Sequence, residues 1–282
     1  MFSVTISDTG TEINQKEINQ KEMYKKISFL GDGARGKVYE VEKDGKSYAL
    51  KDISKVRLDD SEILTMKFNL EIQKNLDHPN INKVFEIFED TFSIVAIMEL
   101  CQDDLYKKRK TLDRKEIPNI FRQIVEAVLY LEDKNLIHND IKLANVVMCN
   151  GIPKLTDFDR VESYICDKEG KTNMTGYEGY EYYMAPEMCR NGYTIKINSW
   201  QLGMLLYGLL ADKYRPVNIE KNFYQKYTRH MDGYEYVSKN APSIPENLKE
   251  NPLAYDLLSK LLQPDPNLRP PVREILEHPY LK

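Results

Sequence analysis

The sequence predicts an α+β protein in two lobes, a small antiparallel β lobe carrying one helix and a larger, mainly helical lobe after it. Three observations point there. Short β-branched or aromatic segments alternate with glycine-rich or Asp-Gly turns over residues 26–100. Beyond Cys101 the apolar residues take up a helical period, as at Ile120, Phe121, Ile124, Val125, Val128 and Leu131. A nearly unbroken apolar run, Leu202–Ala211, is too short to cross a bilayer and reads as a buried helix.

Residues 1–22 are polar and repeat INQKE at 13–17 and 18–22. They are either a solvated extension or a short partner-binding helix. One domain, residues 23–282, is expected to follow, with the β lobe over 23–100 and the helical lobe over 101–282. The predicted strands are Lys26–Leu30, Lys37–Glu42 and Ser47–Ile53, and Asp44-Gly45 between the last two is a strong hairpin signal. A helix over Ser61–Leu76 and strands Val84–Glu89 and Ser93–Leu100 complete this lobe. The second lobe is predicted to hold helices at Pro118–Asn135, Ser199–Ala211, Tyr255–Leu262 and Pro271–His278, the last two beside proline stops or starts.

The composition, 41% hydrophobic and 30% charged over 282 residues, is ordinary for a soluble globular chain. A net charge of −4 gives no electrostatic reason to expect nucleic acid or an anionic membrane as partner. The N-terminal MFSVTISDTG has neither the basic nor the apolar region of a secretory signal, so a cytoplasmic or nuclear location is expected. The four cysteines are scattered without metal or redox spacing, and reduced thiols are the expectation. Nothing demands a dimer, and a monomer is expected.

Four stretches carry chemistry. Gly31, Gly33 and Gly36, followed by Val38, lie in a predicted β-hairpin, where glycine lets backbone N–H groups approach phosphates closely. The same pattern in a dinucleotide-binding turn would enter a helix instead. Lys51, in Tyr48-Ala49-Leu50-Lys51, follows Gly36 by fifteen residues, and on a strand it would hold α- and β-phosphates as a point charge. In His138-Asn139-Asp140-Ile141-Lys142-Leu143-Ala144-Asn145, the Asp would orient an attacking hydroxyl, the Lys would meet the transferring phosphoryl, and the Asn oxygen would hold a metal ion. Asp157, twelve residues after Asn145 and followed by Phe158 and Asp159, would chelate Mg²⁺ as a hard oxygen ligand.

With these stretches in this order, the chain resembles the eukaryotic protein kinase family from about Met23 to Lys282. Ala185-Pro186-Glu187 resembles the motif that closes the family's activation segment, and Arg269 the arginine that pairs with its glutamate. Met98-Glu99-Leu100-Cys101 falls at the hinge. The resemblance implies that Met98 is the gatekeeper, that Glu99 and Cys101 bond adenine through their backbone, and that Val38 and Ala49 line the ATP site. It implies ATP with Mg²⁺ or Mn²⁺ as cofactors, a protein substrate and a regulatory partner. Lys142, two residues after Asp140, is the pattern of Ser/Thr-directed members. Asp77–Asp90 and the C-terminal helices look most like the calcium/calmodulin-regulated branch, without a calcium-binding loop. An active Ser/Thr kinase is therefore expected, with a nucleotide-binding scaffold of little catalysis as the alternative.

The alternative comes from departures. The family's regulatory-helix glutamate falls at Asn69. Glu71 lies roughly 200° round the helix from it, and Glu62 roughly 10 Å along the axis. Lys51 is expected to lack its usual carboxylate unless a shifted register brings Glu71 round. Gln73 falls where the family buries an apolar residue. Asn139 replaces the arginine that clamps a phosphorylated activation segment. Asp159 replaces a glycine, which predicts strain at positive φ and a stiffer motif. Tyr180 and Glu181 replace Thr and Pro. Asn198 replaces the aspartate that holds the catalytic-loop backbone, and is expected to accept one bond there in its place.

Overall fold

The computed structural model describes residues 20–33, 35–165, 184–189, 194–211, 244 and 246–282. The chain divides into two compact units. The first comprises the residues up to Asp77 with Asn82–Cys101, and the second His78–Ile81 with Gln102–Lys282.

The first unit is a five-stranded antiparallel sheet of β1 (Lys25–Gly33), β2 (Gly36–Lys43), β3 (Lys46–Ser54), β4 (Val84–Glu89) and β5 (Ser93–Met98), in the order β1-β2-β3-β5-β4. Asp44 (φ 52°) and Gly45 (φ 71°) make the two-residue turn between β2 and β3. Both central residues are left-handed, the turn geometry that matches strand twist. The sheet is covered on both faces at its inner strands, while β1 is largely exposed. Ala49, Ile53, Val84, Ile94, Ala96 and Met98 pack with Met66 and Leu70 of helix α1 (Asp60–Asn75). On the other face Tyr24 gathers Val41, Leu50, Phe88, Val95 and Ile97. β5 sits between these layers, so all six of its residues are buried, as expected of a strand with no solvent face.

α1 starts at a capping box, in which the Asp59 side chain accepts from Glu62 N–H and the Glu62 carboxylate accepts from Asp59 N–H. Its inward stripe is Met66, Asn69, Leu70 and Gln73. That is a helical period in which two of the four residues are polar, so hydropathy alone would not find the stripe. Leu64 and Phe68 are exposed on this helix.

In the second unit a short helix α2 (Leu105–Lys108) leads to α3 (Ile117–Glu132), with Pro118 in its first turn. α3 buries Ile117, Ile120, Phe121, Ile124, Val125, Ala127, Val128 and Leu131. Every residue of α4 (Ile197–Leu210) is buried. α5 (Pro252–Leu261) closes on α4 at Gly203, where an added Cβ would stand 2.8 Å from Leu261 Cβ. Two small antiparallel pairs carry the loops, β6 (Leu136–Ile137) with β9 (Glu162–Ser163), and β7 (Val146–Cys149) with β8 (Ile152–Leu155). The helix expected over Pro271–His278 shortens to α6 (Val272–Ile275), where Pro279 has no N–H to donate to Ile275 O and opens a one-turn 3₁₀ segment after the turn at residues 276–278. No described helix is long and apolar enough to cross a membrane.

Candidate active site

The predicted site residues fall into the two units. In the first, strand register aligns Gly31 with Val38, Gly33 with Gly36, Val38 with Lys51, and Ala49 with Met98. The β1–β2 pairing slips at Phe29/Gly31, a bulge that opens the strand at the first glycine. A Cβ on Gly36 would lie 2.6 Å from Asp52 O, so only glycine lets β2 pass β3 this closely. A Cβ on Gly31 would meet nothing within 4 Å. The Glu99 N–H donates to Lys83 O at 2.9 Å, and Glu99 O accepts from Asn82 Nδ2 at 3.2 Å. Cys101 and Cys149 are both disulfide-bonded, which corrects the expectation of reduced thiols there.

The two carboxylates weighed as substitutes at Asn69 are placed elsewhere. Glu62 closes the capping box, and Glu71 is exposed beside Lys74. Asn69 itself is buried on the inward stripe. A register shift bringing Glu71 round is therefore not what the helix adopts. Gln73 is buried as the family pattern requires of its apolar counterpart. Its Nε2 donates to Asn82 O at 2.9 Å, so half of its amide is satisfied by backbone.

The second unit assembles the loop expected to be catalytic. Asp140 is 5% exposed, and its Oδ2 accepts from Lys142 Nζ at 2.6 Å and from Asn145 Nδ2 at 2.8 Å. Asn145 Nδ2 also donates to Asp140 O at 2.9 Å. Asp140 Oδ1 is buried and accepts nothing among the described residues. A carboxylate with one oxygen held and the other unmet is poised for an external hydroxyl donor. The Asn145 nitrogen is spent on Asp140, which turns its oxygen away from that carboxylate. Thr156 N–H donates to Asn145 O at 2.9 Å, tying the segment that bears Asp157 to the loop. Asn145 and Asp157 offer amide and carboxylate oxygens, a donor set that fits a hard divalent cation such as Mg²⁺.

His138 is fully buried and braces both strands of this arrangement. Its Nδ1 accepts from Asp140 N–H at 3.2 Å, so Nε2 carries the proton and donates to Thr156 O at 3.0 Å. Burial holds its pKa below the usual imidazole value, against the opposing pull of Asp140 and Asp157. Its ring meets Phe158 edge-on at 4.6 Å.

Two expectations about the departures are corrected. The left-handed residue of the motif expected to bind metal is Asp157 (φ 63°), and Asp159 is not at positive φ. The substitution for glycine at 159 thus carries no left-handed strain. Asn198 does not hold the catalytic loop. Its Nδ2 donates instead to Glu132 Oε1 at 2.8 Å, and its Oδ1 accepts nothing among the described residues. Burial pushes the Glu132 carboxyl up to about 7, the bond from Asn198 offsetting part of the rise. The loop backbone is held by Gln201, whose Nε2 donates to Asn139 O at 3.2 Å. Asn139 (φ 62°) also donates its own Nδ2 to Arg160 O at 3.2 Å. Sequence reasoning passed over Gln201 and Glu132. The signal at 201 was a lone amide at the head of an apolar run.

Glu187 and Arg269 meet as expected. Arg269 Nη1 and Nη2 reach Glu187 Oε1 and Oε2 at 2.5 and 2.8 Å, and its Nε donates to Gln263 O at 2.6 Å. The guanidinium lies 4.8 Å from the Trp200 ring. Tyr180 and Glu181 lie outside the described residues.

Residues 24–281 match the family model described as the protein kinase domain. The chain is 32% identical to the probable serine/threonine-protein kinase CCRP1 of Zea mays, over 92% of this chain and 41% of that protein. It is 30% identical to the serine/threonine-protein kinase polo of Drosophila melanogaster, over 99% of this chain and 47% of that protein. It is 36% identical to the NUAK family SNF1-like kinase 2 of Homo sapiens, over 66% of this chain and 31% of that protein. The chain spans less than half the length of each of these relatives.

Proposed function

This chain belongs to the protein kinase domain family and has that family's α+β fold, and on that footing we propose that it transfers the γ-phosphoryl group of ATP to Ser or Thr hydroxyls of proteins. The observation that carries the reading is Asp140. It is held on one oxygen by Lys142 and Asn145, and its other, buried oxygen accepts nothing among the described residues.

Asp140 orients the substrate hydroxyl and receives its proton as the oxygen attacks in line. Lys142 offsets the charge that develops on the transferred group. The Gly31–Val38 hairpin and Lys51 seat the phosphates, while Val38, Ala49, Met98 and the Glu99 and Cys101 backbone receive the base. Asn145 and Asp157 hold the Mg²⁺ or Mn²⁺. That ion would supply positive charge to offset the charge of the phosphates. Positioning and electrostatics are most of what phosphoryl transfer asks of a protein.

The domain is taken as residues 23–282, acting as a monomer in the cytoplasm or nucleus, with residues 1–22 as an appended extension. The wording of Asp77–Asp90 supports a place near the calcium/calmodulin-regulated branch, with no calcium dependence inferred. One observation favours a second reading, a nucleotide-binding scaffold with little turnover. Asn69 occupies the inward position of α1, while Glu62 and Glu71 are engaged elsewhere.

The deciding experiment measures transfer from ATP to a generic basic protein and to the chain itself, with Mg²⁺ and with Mn²⁺, beside Asp140→Asn. Transfer that vanishes in the variant supports the kinase reading, and phosphoamino-acid analysis then tests Ser/Thr. No transfer above the variant, with ATP still raising the melting temperature, supports the scaffold.

A further inference from the structure

We propose that Gln201 is a positioning residue for Asp140, through the peptide plane that joins Asn139 to Asp140. The inference rests on the kinase reading above and adds a residue to it.

That peptide plane is gripped at both ends. Its oxygen, Asn139 O, accepts from Gln201 Nε2 at 3.2 Å. Its hydrogen, on Asp140 N, is donated to His138 Nδ1 at 3.2 Å. The two grips come from opposite directions in the chain, one from within the loop and one from α4, 62 residues away. Fixing a peptide plane fixes ψ of Asn139 and φ of Asp140, the two soft torsions that aim the Asp140 side chain. Asn139 sits in the left-handed region, which a non-glycine residue leaves readily unless its surroundings hold it there.

Gln201 is suited to this task and costly for any other. It is 0% exposed on a helix buried along its whole length, so its side chain is immobilised by packing. Its Oε1 accepts no hydrogen bond among the described residues. A buried amide with an unmet oxygen costs the fold more than an apolar side chain of the same shape. Among the described residues, its side chain bonds the residue before Asp140. Asn198, three residues earlier on α4, is turned to Glu132 and does not reach the loop.

The test uses Gln201→Met, which keeps the length and removes the donor, and Gln201→Glu, which keeps the shape and restores a donor only when protonated. In Gln201→Met, kcat is expected to fall roughly 10- to 100-fold, the scale of a misplacement of about 1 Å, with KM for ATP within about twofold. Amide hydrogen exchange over residues 138–143 is expected to quicken while α3 stays protected. In Gln201→Glu, turnover relative to the parent is expected to recover as pH falls, and in Gln201→Met it is not. Parent-like kcat together with parent-like exchange in Gln201→Met would overturn the proposal, as would a loss in Gln201→Glu that ignores pH. Should Gln201→Met fail to melt cooperatively, Gln201→Glu alone decides by its pH dependence of exchange. A parent chain that transfers no phosphoryl would refute the kinase reading instead. Exchange over 138–143 would still decide whether Gln201 holds the plane.

Discussion

Asn198 donates its side-chain amide to the Glu132 carboxylate at 2.8 Å, joining α4 to the end of α3. The pair has a pH signature, because Glu132 is pushed up from 4.5 to about 7 by burial. Between those values the folded chain keeps a proton that the unfolded chain has lost. Stability therefore falls as pH rises through that window and levels off above it. Glu132→Gln keeps the bond and removes the charge. It is expected to flatten the dependence, with a gain of up to roughly 3 kcal/mol at pH 8 and little change at pH 4.5. Chemical denaturation at several pH values checks this, and parallel curves for the two proteins would refute it.

The Glu187–Arg269 pair is buried and bidentate. Removing one partner strands the other charge. Arg269→Ala is expected to cost about 3–5 kcal/mol, and Arg269→Met with Glu187→Leu to cost less than Arg269→Ala alone. Melting temperatures of the three proteins decide the order.

Two glycines of one motif are expected to part company. Gly31→Ala meets open space, so its melting temperature should stay near the parent's. Gly36→Ala drives a methyl group into Asp52 O and should lose about 1–3 kcal/mol. Equal melting temperatures would show that the β2–β3 approach relaxes without strain.

Asp157→Asn keeps the size and left-handed tolerance of the residue and removes the charge offered to a metal. Turnover that depends on Mg²⁺ should fall by roughly 100-fold or more, with melting unchanged in metal-free buffer. Full activity would sink the metal assignment.

Asn139 stands where the family has the arginine that grips a phosphorylated activation segment, and its amide is committed to Arg160 O. Phosphatase treatment is therefore expected to change activity by less than about twofold, since a charge-assisted clamp is missing. A loss of more than tenfold on dephosphorylation would contradict this.

What was legible in the sequence follows from local physics. Asp44-Gly45 announced its hairpin because both residues accept positive φ. Val84–Glu89 was placed to the residue, because a strand bounded by polar residues on both sides has clear ends. Asp140, Lys142 and Asn145 could be named together because a short loop must bring them close. The bond from Gln201 to Asn139 could not be read, since it spans 62 residues. An amide in an apolar run looks the same whether it is satisfied or idle. The fate of Asn198 was hidden for a related reason. Its replacement of aspartate suggested a weaker version of one bond, but an amide can also donate, and Glu132 offered a carboxylate. Glu71 was the opposite case, since helix geometry alone placed it off the inward face.

The backbone leading into Asp140 is held by an imidazole that burial keeps neutral and by the carboxamide of Gln201, and the Asn139 side chain beside it by a peptide carbonyl. None of these three ties joins two opposite charges, so mobile ions have little to screen. The backbone path into Asp140 should be the same in dilute buffer and in concentrated salt, which leaves the Lys142–Asp140 ion pair at 2.6 Å as the part of this arrangement that salt can screen. Any ionic-strength dependence of turnover would then report on how substrates arrive or on the Lys142–Asp140 pair, and not on how the loop backbone is set.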